Sequence, residues 1–360
     1  MAKQILYSFE LQPGMKVYED VVDSSGRLIL SKDLILDDET IAKLDFFSIN
    51  EIAINDEEDD PEDSLPPHSF DYSEKVKSSP EYICFNADYD GVVKVIQNNL
   101  DGLMQWRRPL DTDMLINAVF MLIKDCKTTI QIFDVMYNLP TTDEPTYRHS
   151  LNVAIISVVL GRWIGLKRPD LEQLALAGIL HDIGKLLLPV SLLNKQGKLT
   201  DEEFDQIKSH VKKGYNIVKG LDIDGRIKDS VIYHHERCDG SGYPFKCKLD
   251  DIPEFAKIIA IADVYDAMTS SRSYRRGICP FQVIQMFISE GLYKYDTHFI
   301  MTFLENISSS YLNNMVRLSD GRIGEIIMIN KNCLYKPIVK IGKEFVDLMS
   351  QPDLQIEQII

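Results

Sequence analysis

The chain has 360 residues, enough for about two or three domains with separate cores, and its hydrophobic content of 45% excludes disorder of the whole chain. Its formal net charge of -16 argues against binding to polymeric nucleic acid, which requires a basic surface. The longest apolar run, residues 153–160, is too short to cross a bilayer, and residues 1–14 lack the apolar core of a signal peptide. The sequence therefore predicts a soluble cytoplasmic protein, and the lack of any CxxC pair among its six cysteines predicts reduced thiols.

The first 55 residues alternate short apolar runs with turn signals such as Pro13-Gly14. This pattern predicts a small β-rich module over residues 1–55, with a short helix over 40–47 and a last strand over 49–54. Residues 56–80 begin with a run of acidic side chains and continue rich in Pro and Ser. Because like charges repel and cannot bury a core, we interpret this segment as a solvated linker.

Apolar residues at helical spacing predict a helical lead-in over residues 81–140. Further helices are expected over 141–310, the stretch that carries every candidate functional motif. Residues 311–360 return to strand-like alternation with Asp320-Gly321 at the centre, which is a strong hairpin signal. The predicted fold class is mainly α, with an all-helical domain flanked by small β-rich modules at both ends.

Five of the seven histidines lie between residues 149 and 235, and two aspartates in apolar segments, Asp182 and Asp263, complete a set that spans residues 149–263. Histidine is the commonest metal ligand, and a carboxylate can bridge two cations. Taken alone, His149 is better explained as a core histidine, and the same explanation fits His210. Adjacent ionisable residues such as His181 and Asp182, however, are costly to bury unless they are paired or metallated. As a set, these residues predict a metal centre. The candidate ligands are His149, His181, Asp182, His210, His234, His235 and Asp263.

Several other residues accompany the candidate ligands. Lys185 follows Asp182 by three positions and can point back over the same site. A glycine-rich turn lets the backbone approach a ligand closely, and arginine forks suit phosphate oxygens, although a solvated basic turn is the alternative for Arg276. The candidate substrate contacts are Lys185, Gly242, Tyr243, Asp266, Arg272 and Arg275.

Five motifs together resemble the HD-GYP domain, a subgroup of the HD phosphohydrolase superfamily. They are His149, HDxGK at 181–185, His210, HHExxDGxGYP at 234–244 and DxxDAxTSxRxY at 263–274. The resemblance covers residues 141–310 and implies a metallohydrolase that cleaves cyclic di-GMP, a bacterial second messenger, to pGpG and onward to GMP.

The resemblance also implies two divalent metal ions, Fe or Mn, and a ligand set for each. The first ion takes His149, His181, Asp182 and Asp263, and the second takes Asp182, His210, His234 and His235, with Asp182 bridging. Such a pair of cations activates a water molecule and clamps the phosphoryl oxygens. The catalytic residues implied are Asp182, which orients the hydroxide, and Lys185, which stabilises the developing charge.

The chain departs from the family pattern at two places. Some members place a glutamate four residues before the first histidine as a ligand of a third metal, and this chain has Pro145 there, which favours two metals. After GYP the family commonly continues with glycines, whereas this chain has Lys246 and Leu249. The second departure leaves the ligand set intact and leaves the conformation of the loop open.

Other functions stay open at this stage. The substrate could instead be cyclic GMP-AMP, another nucleotide or ppGpp, and a degenerate member would bind a cyclic dinucleotide without cleaving it. A missing ligand would mark such a receptor, and none is missing here. The expected partner is a cyclic dinucleotide, with a homodimer or a GGDEF-type protein as a further possibility, and neither polymeric nucleic acid nor a membrane is expected.

Overall fold

A computed structural model describes residues 3–7, 11–22, 28–37, 40, 41, 44, 49, 51–55, 77–124, 126, 129–137, 139, 145–193, 195, 200–270 and 277–360. The chain divides into two compact units, residues 1–69 with 188–209 and residues 70–187 with 210–360. Among the described residues, no helix combines the length and the apolar character that a membrane span requires. None of the six cysteines, all of which are among the described residues, forms a disulfide.

Among its described residues, the N-terminal module contains two antiparallel strand pairs. β1 (Lys3–Tyr7) pairs with β4 (Glu51–Asn55), and β2 (Val21–Val22) pairs with β3 (Leu28–Leu30). The predicted β-rich character is confirmed, whereas residues 42, 43 and 45–47 of the predicted helix and residues 56–76 of the predicted linker lie outside the described residues. The core includes Leu6, Leu11, Val17, Leu30, Leu36, Ile52 and Ile54.

Three helices form the lead-in: α1 (Pro80–Trp106), α2 (Thr112–Ile123) and α3 (Thr129–Tyr137). The side chain of Ser79 accepts a hydrogen bond from the backbone of Tyr82 and caps α1, while Asp111 caps α2 in the same way. Such caps satisfy backbone donors that have no partner within the helix. The first helix buries the side that carries Tyr89, Val93, Ile96 and Leu100.

Two helices occupy the centre of the second unit. These are α4 (Pro145–Trp163) and α5 (Arg168–Leu180), and a 3₁₀ turn at Ile183–Leu187 follows them. Every residue of α4 from 150 to 161 is buried, as is every residue of α5 from 174 to 180. A helix that is buried all round must be covered by other elements, so these two helices form the core of the bundle.

The helices that follow correct one expectation. α6 (Val190–Leu193) and α7 (Asp201–Lys208) precede α8 (His210–Val218) and α9 (Gly225–Tyr233). The sequence predicts one helix that starts at a capping box of Thr200 and Glu203 and includes His210. The capping box is present, but α7 ends at Lys208 and His210 begins α8. The Ser209 hydroxyl donates to the Gln206 carbonyl, a side-chain hydrogen bond of the kind that competes with a regular helix.

The remaining helices lead to a second β-rich module, as predicted. α10 (Glu254–Thr269), α11 (Pro280–Met286), a π-helical turn (Phe287–Gly291) and α12 (Thr297–Ser310) come first. One antiparallel sheet then takes the strand order β8-β7-β6-β5-β9. Its strands are β5 (Met315–Leu318), β6 (Ile323–Met328), β7 (Ile338–Ile341), β8 (Glu344–Asp347) and β9 (Ile356–Ile359).

The predicted hairpin at Asp320-Gly321 is confirmed, because β5 and β6 pair on either side of it and Gly321 has a φ of 83°. The fold is therefore mainly α with small antiparallel sheets at both ends. The predicted fold class is confirmed.

Candidate metal centre

All seven predicted ligands converge inside the second unit. They come from five places in the chain: α4, the end of α5, the start of α8, the residues that follow α9, and α10. Their positions are His149 on α4, His181 and Asp182 after α5, His210 as the first residue of α8, His234 and His235 after α9, and Asp263 on α10.

Asp182 lies at the middle of this cluster. Its Oδ2 is 3.3 Å from His181 Nε2 and 3.6 Å from His149 Nε2. Its Oδ1 is 3.2 Å from His210 Nε2 and 3.7 Å from His234 Nε2. Each oxygen of the carboxylate therefore faces a different pair of histidines.

The ligand atoms form two overlapping groups. One contains His149, His181 and Asp182, and the other contains Asp182, His210, His234 and His235; within each group one ligand atom per residue lies within 4.8 Å of the others. Asp263 lies beside both groups, with Oδ1 3.0 Å from His149 Nε2 and Oδ2 4.0 Å from His235 Nδ1. The arrangement can hold cations on both sides of Asp182.

The cluster leaves buried polar atoms that fit a cation. Among the described residues, His181 Nε2 and both carboxylate oxygens of Asp182 are buried without a partner in hydrogen-bond geometry, although Lys185 Nζ forms an ion pair with Asp182 Oδ2 at 2.6 Å. An unsatisfied buried polar group costs about 1–3 kcal/mol. Several such atoms gathered around one carboxylate fit a metal site. The mixed histidine and carboxylate donors suit divalent first-row metals.

Hydrogen bonds on the outer ring nitrogens fix three of the histidines. The Nδ1 of His149 is 2.7 Å from Asp266 Oδ2, the Nδ1 of His181 is 2.7 Å from the Gly178 carbonyl, and the Nδ1 of His234 is 3.0 Å from the Val231 carbonyl. Each Nδ1 faces an acceptor to which it can donate, so the Nε2 on the side of Asp182 is left as the ligand atom.

Two glycines allow the backbone to come close enough to build the site. A Cβ at Gly184 would lie 1.9 Å from the His210 carbonyl oxygen, so only glycine lets the turn after Asp182 pack on the start of α8. A Cβ at Gly242 would lie 2.4 Å from Glu236 Cα, so the turn that carries Tyr243 packs directly on the backbone beside His235. Both contacts are made by backbone atoms, which cannot move aside cheaply.

The electrostatics of the cluster differ from one residue to the next. Burial disfavours the charged form of His149, but hydrogen bonds with Asp263 and Asp266 outweigh burial and raise its pKa to about 9. Burial lowers the pKa of His234 to about 4. Burial also opposes charge on Asp182, yet Lys185 and the neighbouring histidines hold its pKa well below the usual range. The ionised carboxylate of Asp182 has the charge state that metal binding requires, whereas His149 must release its Nε2 proton when an ion binds.

The loop after His235 depends on a residue that the sequence reasoning did not assign. Glu236 is buried, and its carboxylate accepts hydrogen bonds from the backbone N–H groups of Phe245, Lys246 and Cys247 at 2.6, 3.1 and 2.9 Å. The ring of Tyr243 stacks on His235 with centroids 4.7 Å apart. A buried acidic residue between two histidines and a glycine-rich turn was the available signal.

The structure also shows the conformation of Lys246, where this loop departs from the family pattern. Lys246 has a φ of 58°, in the left-handed region where glycine is favoured. The lysine therefore adopts the backbone conformation that glycine adopts most readily, and the three hydrogen bonds to Glu236 hold it there.

The other sequence candidates have distinct positions. Lys185 lies beside Asp182, as predicted from its spacing. Asp266 has both oxygens engaged by the protein: Oδ2 meets His149, while Oδ1 accepts from Asn152 at 2.8 Å and from Ser270 at 2.7 Å. Arg272 and Arg275 lie outside the described residues.

The helical region matches a known protein family, and the chain resembles a solved structure. Residues 136–299 match the model of the HD domain family. An HDG"Y"P protein from Bdellovibrio bacteriovorus has a similar fold, with a TM-score of 0.51 at 16% identity over 85% of this chain and 99% of that chain. The predicted resemblance to the HD-GYP family is confirmed.

Three relatives have a higher sequence identity to this chain than the Bdellovibrio protein has. A cyclic di-GMP phosphodiesterase of Pseudomonas aeruginosa is 35% identical over 57% of this chain and 50% of its own length. A 3'3'-cGAMP-specific phosphodiesterase of Vibrio cholerae is 34% identical over 54% of this chain and 39% of its own length. A cyclic di-GMP phosphodiesterase of Borreliella burgdorferi is 30% identical over 58% of this chain and 55% of its own length. The chain thus spans about half or less of the length of these relatives.

Proposed function

We propose that this chain is a metal-dependent phosphodiesterase that hydrolyses cyclic di-GMP to pGpG and onward to GMP. The observation that carries the proposal is the position of Asp182, whose two oxygens face two different pairs of histidines. A carboxylate shared in this way supports a site for two ions, and relatives named as cyclic di-GMP phosphodiesterases support the substrate.

The ligands divide between the two ions as their distances suggest. His149, His181 and Asp263 would hold one ion together with Asp182, and the remaining three histidines would hold the other with the same carboxylate. When bound, a pair of divalent ions, Fe or Mn in this proposal, lowers the pKa of a water molecule and neutralises charge on the phosphoryl oxygens. The donor types and the spacing of the cluster support this assignment.

Lys185 is proposed to stabilise charge on the reacting phosphate. Its Nζ lies 2.6 Å from Asp182 Oδ2, and its side chain is partly exposed, so it contacts both the buried carboxylate and solvent. A cation held at this position offsets negative charge as it develops on a phosphoryl or leaving oxygen. The ion pair with Asp182 holds the ammonium group at this position.

Four of the proposed substrate contacts, Lys185, Gly242, Tyr243 and Asp266, lie directly beside ligands of the cluster. Tyr243 lies over His235, where its ring can pack against a guanine base, and the backbone at Gly242 can approach the dinucleotide. Arg272 and Arg275 are proposed to bind the phosphate that is not cleaved. Asp266 is proposed to orient His149 in addition to any substrate contact, because both of its oxygens bind protein groups.

A product assay on the metal-loaded protein tests the proposal. Protein purified without oxygen and loaded with Fe²⁺ or Mn²⁺ is expected to convert cyclic di-GMP to pGpG and GMP, as separated by anion-exchange chromatography, and a chelator is expected to stop the reaction. Metal analysis of the same sample gives the number of ions. Binding of the dinucleotide without any product, at full metal occupancy, would instead identify a receptor and overturn the proposal.

Cyclic GMP-AMP is the second candidate substrate, because one relative is named as specific for 3'3'-cGAMP. The two dinucleotides differ in one purine base, so base contacts decide between them rather than the metal centre. Parallel measurements of kcat/KM for both compounds test this point. A larger value for cyclic GMP-AMP would transfer the proposal to that substrate.

The proposal includes the finer expectations from the sequence. It places the enzyme in the cytoplasm and allows a homodimer or a complex with a GGDEF-type protein. The molar mass of the purified protein, measured alone and mixed with such a protein, tests the association.

A further inference from the structure

A buried chain of hydrogen bonds connects the lead-in helix α1 to the metal centre. Tyr89 Oη donates to Asn152 Oδ1 at 2.6 Å, and Asn152 Nδ2 donates to Asp266 Oδ1 at 2.8 Å. Asp266 Oδ2 in turn lies 2.7 Å from His149 Nδ1. Tyr89 is 1% exposed, Asn152 7% and Asp266 3%. Tyr89 lies outside residues 136–299, the stretch that matches the HD domain.

The direction of each bond follows from the chemistry of the groups. A carboxylate only accepts, so the amide nitrogen of Asn152 must face Asp266 and the amide oxygen must face away from it. Tyr89 occupies that opposite side as a donor. Burial raises the pKa of the Tyr89 hydroxyl, so the oxygen keeps the proton that it donates. The tyrosine therefore selects the orientation of the amide in which Asn152 can donate to Asp266.

The ring of Tyr89 is itself held at the junction of α1 and α4. It stacks on Phe85, with centroids 5.8 Å apart, and the guanidinium of Arg148 lies over it at 5.0 Å from the ring centroid. Arg148 directly precedes His149 and forms an ion pair with Asp90 of α1. The hydroxyl thus approaches the metal centre from a rigid support.

We propose that Tyr89 and Asn152 are positioning residues, which act through Asp266 to fix the ring of His149 for its metal ion. This inference rests on the metal-binding part of the proposed function and not on the substrate. It makes α1, a helix outside the matched domain, part of the machinery that sets metal affinity. Partners of a ligating histidine typically change metal affinity by about 10–100-fold when they are replaced. A residue two bonds further away should act more weakly, by roughly 3–10-fold by the same reasoning.

Removal of a single hydroxyl tests the proposal. Tyr89→Phe keeps the ring and its stacking but removes the donor to Asn152. The affinity for Mn²⁺, measured by titrating the metal-free protein and detecting the free ion by electron paramagnetic resonance, is expected to fall by roughly 3–10-fold. Asn152→Leu interrupts the same chain at its centre with a side chain of similar size, and a similar or larger loss is expected.

Tyr147→Phe is the matched control. Tyr147 also lies on α4, and its hydroxyl donates to Asp101 Oδ1 of α1 at 2.7 Å, so it connects the same two helices. It does not belong to the chain that ends at His149. The control is expected to keep the Mn²⁺ affinity of the unmodified protein. An equal loss in both variants would show that the contact between helices matters and not the hydrogen-bond chain, and would overturn the proposal.

A double-variant experiment shows whether Tyr89 acts through Asp266. Asp266→Asn presents an amide that can place an N–H against His149 Nδ1, which forces the ring into the other tautomer, so a loss of about 10–100-fold is expected. If Tyr89 acts through this residue, adding Tyr89→Phe should cause little further loss. Additive losses, or unchanged affinity in Tyr89→Phe, would refute the positioning role.

The metal readout separates this inference from the proposed substrate. Affinity losses in the expected order support the positioning role even if cyclic di-GMP is not hydrolysed. Conversely, full hydrolysis of cyclic di-GMP with unchanged Mn²⁺ affinity in Tyr89→Phe would support the proposed function and overturn the positioning role.

Discussion

Two histidines of the centre, one from each group of ligand atoms, are positioned by different means. On one side, His149 is oriented by a side chain, Asp266, and through it by Asn152 and Tyr89. On the other side, the outer nitrogen of His234 faces the backbone carbonyls of Val231 and Ser230, one turn earlier in the chain. A backbone carbonyl persists through any substitution at its own residue, whereas a side-chain partner is lost by a single change.

This difference teaches where the centre is open to adjustment. The backbone holds His234, whose position is determined by the local path of α9, which ends at Tyr233 immediately before it. A side chain holds His149, whose position depends on residues distant in the chain, as far as Tyr89 on α1. We therefore expect substitutions of Asp266, Asn152 or Tyr89 to lower metal affinity, and the loss to be smaller the further the residue lies from His149. Substitutions near His234 should have little effect unless they move the backbone.

The largest effect is expected from the residue that both sides share. Asp182→Ala removes the carboxylate that faces all four nearest histidines, so both ions should be lost and hydrolysis should fall by at least about 1000-fold. Metal analysis and the product assay measure the two losses, and circular dichroism checks that the helices remain. Retention of one full equivalent of metal would show that the two sides bind independently of Asp182.

The next largest effect should come from moving the backbone. Gly184→Ala places a Cβ 1.9 Å from the His210 carbonyl oxygen, so α8 must shift and stability should fall by about 1–3 kcal/mol or more, with loss of metal from the side that contains His210. Chemical denaturation and metal analysis report the change.

Gly91→Ala is the matched control for the backbone change, because Gly91 also lies in a helix and a Cβ there has no atom within 4 Å. Alanine should stabilise α1 by roughly 0.5–1 kcal/mol. Normal stability and full metal content in Gly184→Ala would contradict the role of the close approach.

A third change tests whether the loop after His235 depends on a single side chain, as the position of His149 does. Glu236→Ala removes the acceptor of three backbone N–H groups, which should lower stability by about 1–3 kcal/mol and free the loop that carries Tyr243. The expected kinetic result is a raised KM for the dinucleotide with most of the metal still bound. Loss of metal with an unchanged KM would show that Glu236 serves the ligands and not the loop.

The smallest effect on metal affinity is expected beside His234, the histidine that the backbone holds. Ser230 is buried, and its carbonyl is 3.2 Å from His234 Nδ1, while its hydroxyl donates to the Ile227 carbonyl. Ser230→Ala removes only the hydroxyl, so metal affinity should stay within roughly 2-fold, because the carbonyl that faces His234 remains. A loss as large as that expected for Asp266→Asn would erase the contrast between the two sides.

The sequence predicted the fold class because its local patterns are strong. Helical periodicity covers α1, α2 and α4, and turn signals such as Asp320-Gly321 separate the strands of the second sheet. The helix boundary near His210 was predicted wrongly, because the apolar periodicity of the sequence continues across Ser209 whereas the helix ends at Lys208. A capping box marks where a helix begins, and the sequence carried no comparable signal for its end.

For the site, the sequence by itself determined which residues form the cluster. Histidines and aspartates in otherwise apolar segments need partners, so their chemistry is visible without a structure. Only the tertiary structure decided how the partners are distributed. His149 meets Asp266 across 117 positions of the chain, and Tyr89 meets Asn152 across 63. Local patterns report burial and periodicity within a few turns, but a hydrogen bond requires two atoms within about 3 Å, and packing alone brings such distant residues together.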